Sequence, residues 1–122
     1  MSNGSILTDV KTMLGIYYED NAFDAELIMH INGTFMTLHQ LGIGPESGFY
    51  ITGPDTEWSE FSDNAHLVDS VKMFVFMKVR MIFDPPASSV VADAINQRLS
   101  EIEWRLTSQA EMDAEKGGTV ES

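Results

Sequence analysis

The sequence predicts a mainly α protein: a small bundle of about four helices with a long loop able to carry a short β element. Three observations point there. Apolar residues recur at helical spacing in four segments. Capping residues stand ahead of those segments, and glycine or proline follows the first three. Between the second and third segments, residues 42–54 contain four glycines and two prolines, a composition that interrupts any regular element.

For the first helix, Ser5 is a suitable N-cap. Leu7, Val10, Met13 and Leu14 follow at helical spacing, and Gly15 is the stop. The second helix is expected from about Ala22 to Leu41, with Asn21 as its cap and Asp24 answering in the manner of a capping box. Its core stripe is Phe23, Leu27, Ile28, Ile31, Phe35, Leu38 and Leu41. Met29 and Met36 fall on the other side, flanking Gly33. Two flexible thioethers around a small residue suit a second packing surface, although simple solvent exposure gives the same pattern.

Gly42-Ile-Gly-Pro45 ends that helix. Within the loop that follows, Phe49-Tyr-Ile-Thr52 favours β structure, and Thr56 to Phe61 reads as a single helical turn capped by Thr56. Long loops in small domains are often binding elements, which makes Phe49, Tyr50 and Trp58 interface candidates. The competing reading is a packed loop anchored by Phe49 and Trp58.

Val71 to Phe83 is ambiguous. Ten of its thirteen residues are apolar and the other three, Lys72, Lys78 and Arg80, are basic. Every odd position is apolar, as in a strand. Leu67, Val71, Phe74, Lys78 and Ile82 nevertheless form a helical row, with Met73, Met77 and Met81 stacked beside it. Thirteen residues exceed the usual strand. Asp63 or Asn64 offers a cap, and Asp84-Pro85-Pro86 a stop, so a helix is expected. The excess apolar surface around the three methionines marks them as contact candidates.

The fourth helix is expected to start at Ser88 or Ser89, with Val91, Ile95, Leu99, Ile102 and Leu106 as its stripe. Glu101 and Arg105 pair one turn apart. Trp104 projects about 180° from the stripe centre, a place suited to a binding hot spot and equally open to a lone exposed aromatic. From Ser108 the composition turns polar and acidic. Residues 1–107 are thus read as one helical domain with loop 42–61 inserted, and residues 108–122 as an acidic flexible tail.

Composition narrows the function. The formal net charge is −12, from 19 acidic against 7 basic residues. That balance opposes binding to nucleic acid through its phosphates, which needs a basic surface. It suits a protein lying near DNA, a mimic of DNA, or simple solubility. Without cysteine there are no disulfides or thiolate metal sites. No basic and apolar leader opens the chain, so a cytoplasmic origin is expected. A membrane span needs about 20 apolar residues, more than any run here supplies.

Chemistry is not evident. His30, His39 and His66 lack zinc spacing, and His30, beside the core stripe, reads as structural. Gly42 to Gly48 lacks the lysine and hydroxyl of a phosphate loop. No serine sits in a nucleophile elbow. No enzyme, metal or cofactor is expected.

Four stretches together resemble the head–tail connector, or adaptor, proteins of long-tailed bacteriophages: SILTDVKTMLGI, HQLGIGPESGF, TEWSEF, and KMFVFMKVRMIFDPPASS leading to EIEWRL. They span about residues 5 to 107. The resemblance implies a virion protein of the neck, assembled in the host cytoplasm, with no catalysis. It implies a homo-oligomeric ring of about twelve subunits beneath the portal protein. Such a ring extends the channel through which genome DNA passes without sequence-specific binding, and offers a platform for a stopper or tail-completion protein. The segment after Trp104 would dock on the portal. Met29, Met36, Phe49, Tyr50, Trp58, Met73, Met77, Met81, Trp104 and Arg105 are the interface candidates, chosen on pattern. The alternative is a small acidic DNA-mimic inhibitor of a nucleic-acid enzyme.

Overall fold

The computed structural model describes the backbone of residues 4–121 and the side chains through Asp113. Four α-helices form it: α1 Ile6–Met13, α2 Asp24–Gln40, α3 Ala65–Phe83 and α4 Ser89–Glu121, with a short 3-10 turn at Trp58–Glu60. There is no sheet among the described residues. The chain is a mainly α bundle, in which α3 is the central helix and packs against both α2 and α4, while α1 closes over α2 and α3.

Ser5 caps α1 as expected, accepting from the Thr8 amide at 3.2 Å. Its hydroxyl also donates to the Pro54 carbonyl at 2.8 Å, so one side chain starts the helix and fastens a distant loop. At the other end of α2, the Gly42 amide donates to His39 and the Ile43 amide to Leu38. This is a Schellman closure, with Ile43 and Leu38 both in the core. Gly42 has φ +83, which only glycine adopts without strain. The Lys11 to Ile16 segment repeats the device at the end of α1.

The start of α2 differs from expectation. The helix begins at Asp24, Phe23 occupies the cap position with no side-chain bond, and Asn21 caps nothing. The Asp24 carboxylate is engaged elsewhere: Lys11 Nζ lies 2.8 Å from its Oδ1. That contact is off the axis of a well-formed hydrogen bond and acts through charge. Lys11 is almost completely buried and also donates to the Tyr18 carbonyl at 2.9 Å. A buried ammonium needs a counter-charge, and that need outweighs a solvent-exposed cap.

Loop 42–61 is packed, not free. Phe49-Tyr-Ile-Thr52 forms no strand. The Ile51 amide donates to Asn32 Oδ1 at 2.7 Å, and Asn32 Nδ2 donates to the Ile51 carbonyl at 2.9 Å. The Asn32 amide presents one donor and one acceptor, as a neighbouring strand would, and takes the strand's place. The isolated β-bridge joins Ser5 and Glu57 instead. The turn at Trp58 begins after Glu57, not Thr56, with Glu60 Oε2 accepting from the Glu57 amide at 2.9 Å; the Thr56 carbonyl accepts from Ile6. Gly44 has no room for a side chain, because a Cβ there would lie 2.7 Å from the Phe61 ring. Asn32→Ala should strip both partners from Ile51 at a cost of about 1–3 kcal/mol. Amide exchange of Ile51 should accelerate while α3 protection holds; unchanged exchange would show that water substitutes fully for the side chain.

Helix α3 runs Ala65–Phe83 from an Asn64 cap that accepts from His66 and Leu67. The ambiguous segment is therefore helical. Val71, Phe74, Val75 and Val79 are fully buried. Helix α4 buries Leu99, Ile102 and Leu106, leaves Val91 exposed, and continues past Ser108 to Glu121. In that extension Gln109 donates to Asp113 at 3.0 Å, one turn on. Glu111 and Asp113 are exposed; Glu115 and Glu121 lie outside the described side chains.

Candidate interaction surfaces

A 122-residue chain that hides its core well should show its large apolar side chains outside only where something else covers them. On α2, Met29 and Met36 are exposed at 63% and 62%. They flank Gly33 on the face opposite Leu27, Ile31 and Leu38. Beside them, Lys78 and Ile82 of α3 complete an open groove whose floor includes Gly33 and Thr37. On α4, Trp104 is 71% exposed, with Gln97, Ser100, Glu101 and Arg105 around it. Both α2 and α4 pack on α3, and each of these surfaces lies on the face of its helix turned away from that helix's core stripe.

The other candidates divide. Tyr50 is exposed on the loop. Phe49 is half-buried, edge-on to Phe35 and Phe61 at centroid distances of 4.9 and 5.3 Å. Met73 is exposed, whereas Met77 and Met81 are half-buried and packed against the core, so the methionine row is not a single free surface. Trp58 sits inside the protomer. Its Nε1 donates to Asp9 Oδ2 at 2.9 Å, and its ring packs near Phe35 and Phe76. Of the two readings of this loop, the anchored one describes the protomer. Trp58 holds the loop to α1 and has no free face to offer.

Sequence reasoning missed Tyr17, Tyr18, Ile82 and Val90, all exposed. The tyrosines lie in the short α1–α2 connection, with ring centroids 4.9 Å apart. Adjacent aromatics just after a helix-ending glycine were the available signal. They belong to no helical stripe, so periodicity passes over them.

Charge is sorted by depth. Lys11 is buried, and Lys72, Lys78 and Arg80 are half-buried. Lys72 Nζ is 3.8 Å from Asp9 Oδ2 and 5.6 Å from the Trp58 ring centroid, and so helps to close the loop. Only Arg98 and Arg105 are exposed cations among the described side chains, against many exposed carboxylates. The solvent face is thus more acidic than composition alone indicates. His30 is half-buried with Glu26 at 3.5 Å. No group of three or more acidic or histidine side chains is placed to hold a metal among the described residues. No helix among them is long and apolar enough to cross a membrane.

No curated protein and no solved structure gives a significant match. The family model described as phage connector protein matches residues 6–113, which takes in all of α1, α2 and α3 and most of α4. That match supports a phage connector role, a place in the virion and contact with other head or tail proteins. Proteins of this family are structural, not enzymatic. The chain belongs to the phage connector protein family.

Proposed function

We propose that this connector assembles as a ring of about twelve copies under the portal, extends the channel for the genome, and presents a platform to a stopper or tail-completion protein. The observation that carries the reading is the presence of two separate exposed apolar patches on different helices of one small bundle: Met29 and Met36 on α2, Trp104 on α4. Cyclic assembly needs two different patches on each subunit, because each joins one patch to the other. The acidic exterior fits a channel that phosphates pass without adhering. Loop 42–61, stapled to α1 and α2, gives the protomer a rigid edge from which Tyr50 can meet a neighbouring neck protein. The end of α4 beyond Trp104 is the segment assigned to the portal, with Arg105 at its root.

The test is to mix the purified chain with purified portal rings and image the product by negative staining. A second ring stacked coaxially on the portal is the expected result. A portal that remains bare at tens of micromolar chain, a concentration at which even weak specific contacts form, would overturn the reading.

A further inference from the structure

We propose that neighbouring copies of this chain join by seating the Trp104 face of α4 from one copy in the α2–α3 groove of the next, over Gly33, with Glu101 reaching Lys78. This rests on the ring reading and names the contact that builds the ring.

Groove and ridge fit in shape. At Gly33 an added Cβ would meet nothing within 4 Å, so the floor is open to an incoming ring. Met29 and Ile82 form the walls, both more than half exposed, and Met36 is exposed two turns along α2 from Met29. Methionines mould to an aromatic ring and make favourable sulfur contacts with it. On α4, Gln97, Glu101 and Trp104 follow one another at helical spacing on the side away from Leu99, Ile102 and Leu106. The tryptophan therefore stands on a ridge, with polar neighbours that can hydrogen-bond at the rim of a contact.

The charges also match. Lys78 is half-buried in the groove, its Nζ 5.6 Å from the Phe74 ring centroid. Among the described residues, the ion pairs involve Lys11, His30 and Lys72, and none involves Lys78. The Trp104 ridge carries exposed Asp93, Glu101 and Glu111 on the same side of α4. An unpaired cation in a groove and acids beside the exposed indole are complementary within a single chain. A second copy thus supplies what each surface lacks. Since Trp104 stands on the side of α4 away from Leu99, Ile102 and Leu106, which pack into its own bundle, one copy cannot satisfy itself, and the pairing propagates from subunit to subunit.

The chain contains no cysteine, so introduced thiols report without background. Gly33→Cys and Ser100→Cys mark the groove and the ridge at exposed positions. Each variant is added to portal rings and treated with a short bis-maleimide. The doubly substituted chain should give a ladder of covalent oligomers on a denaturing gel, while either single variant should stay monomeric. K78E in the doubly marked chain should reduce the ladder at least tenfold, and K78E/E101K should restore it. Rings on the portal without a ladder would overturn this pairing and leave the ring reading standing. Absence of both rings and ladder would overturn the two together. Strong dimers from G33C alone would show a symmetric contact and refute the groove-to-ridge assignment. A ladder insensitive to K78E would refute the ion pair. Thermal melting of each variant confirms that the fold is retained.

Discussion

Truncating Phe35 to alanine is expected to destabilise the protomer by about 3–5 kcal/mol, the cost of emptying a well-packed aromatic site. Phe35 is 1% exposed. Its ring meets Phe49, Phe61 and Trp58 at centroid distances of 4.9, 5.3 and 6.4 Å. Those three partners all come from loop 42–61, so Phe35 ties α2 to the loop as well as filling space. Aromatic pairs add about 0.5–1.5 kcal/mol each beyond burial, which places the expected value towards the upper end. Tyr50→Ala, in the same loop but exposed, should change stability by about 0.5 kcal/mol or less. Urea unfolding of the two variants beside the parent separates these effects. Equal losses would mean that the loop is not held through Phe35. For a domain of this size the predicted loss is a large share of total stability, so part of the F35A population should be unfolded at growth temperature.

Local signals made much of the fold legible. Ser5 and Asn64 cap helices where the sequence places them. Gly15 and Gly42 end helices because their positions need a left-handed backbone. The thirteen-residue run resisted a decision for a physical reason. As the central helix, α3 is covered from several sides, so apolar residues surround it and the strand-like and helix-like periods overlap. Length and the Asn64 cap resolved what periodicity could not. Elements that depend on distant partners were not legible. The α2 start shifted because Asp24 answers Lys11, thirteen positions away, and the β-favouring run at Phe49–Thr52 is satisfied by Asn32 from another element. Nothing within four residues of either site announces those partners. The length of α4, which runs to Glu121, does not follow from apolar content, which falls after Ser108. Gln109, Ala110, Glu111 and Met112 are good helix formers, and helix propagation does not require a buried face.

The candidate surfaces were legible to a similar degree. The faces of α2 and α4 opposite their core stripes follow from 3.6-residue periodicity alone, and Met29, Met36 and Trp104 are exposed there. Trp58 was not separable in the same way. In an irregular loop no period states which side faces inward, and only the Asp9 carboxylate, 49 residues away in sequence, shows that its indole is spoken for.

Trp104→Ala should separate folding from assembly more sharply than any other substitution. Because Trp104 is already 71% exposed, removal takes away little core contact. Melting should therefore move by about 0.5 kcal/mol or less. A hot-spot tryptophan is worth about 2 kcal/mol or more on truncation, or roughly thirty-fold in each subunit contact. In a closed ring that penalty recurs at every junction, so moderate weakening per contact becomes near-complete loss of rings over a narrow concentration range. Mass photometry of portal-bound samples across a concentration series reads this directly. Trp104→Phe, which keeps a large aromatic ring and loses the indole N–H, should retain most of the assembly. A melting loss of 3 kcal/mol or more, of the size seen when a buried tryptophan is truncated, would show that Trp104 supports the protomer. Unchanged rings with unchanged stability would remove α4's outer face from the assembly. The contact would then have to be sought among the exposed aromatics Tyr17, Tyr18 and Tyr50.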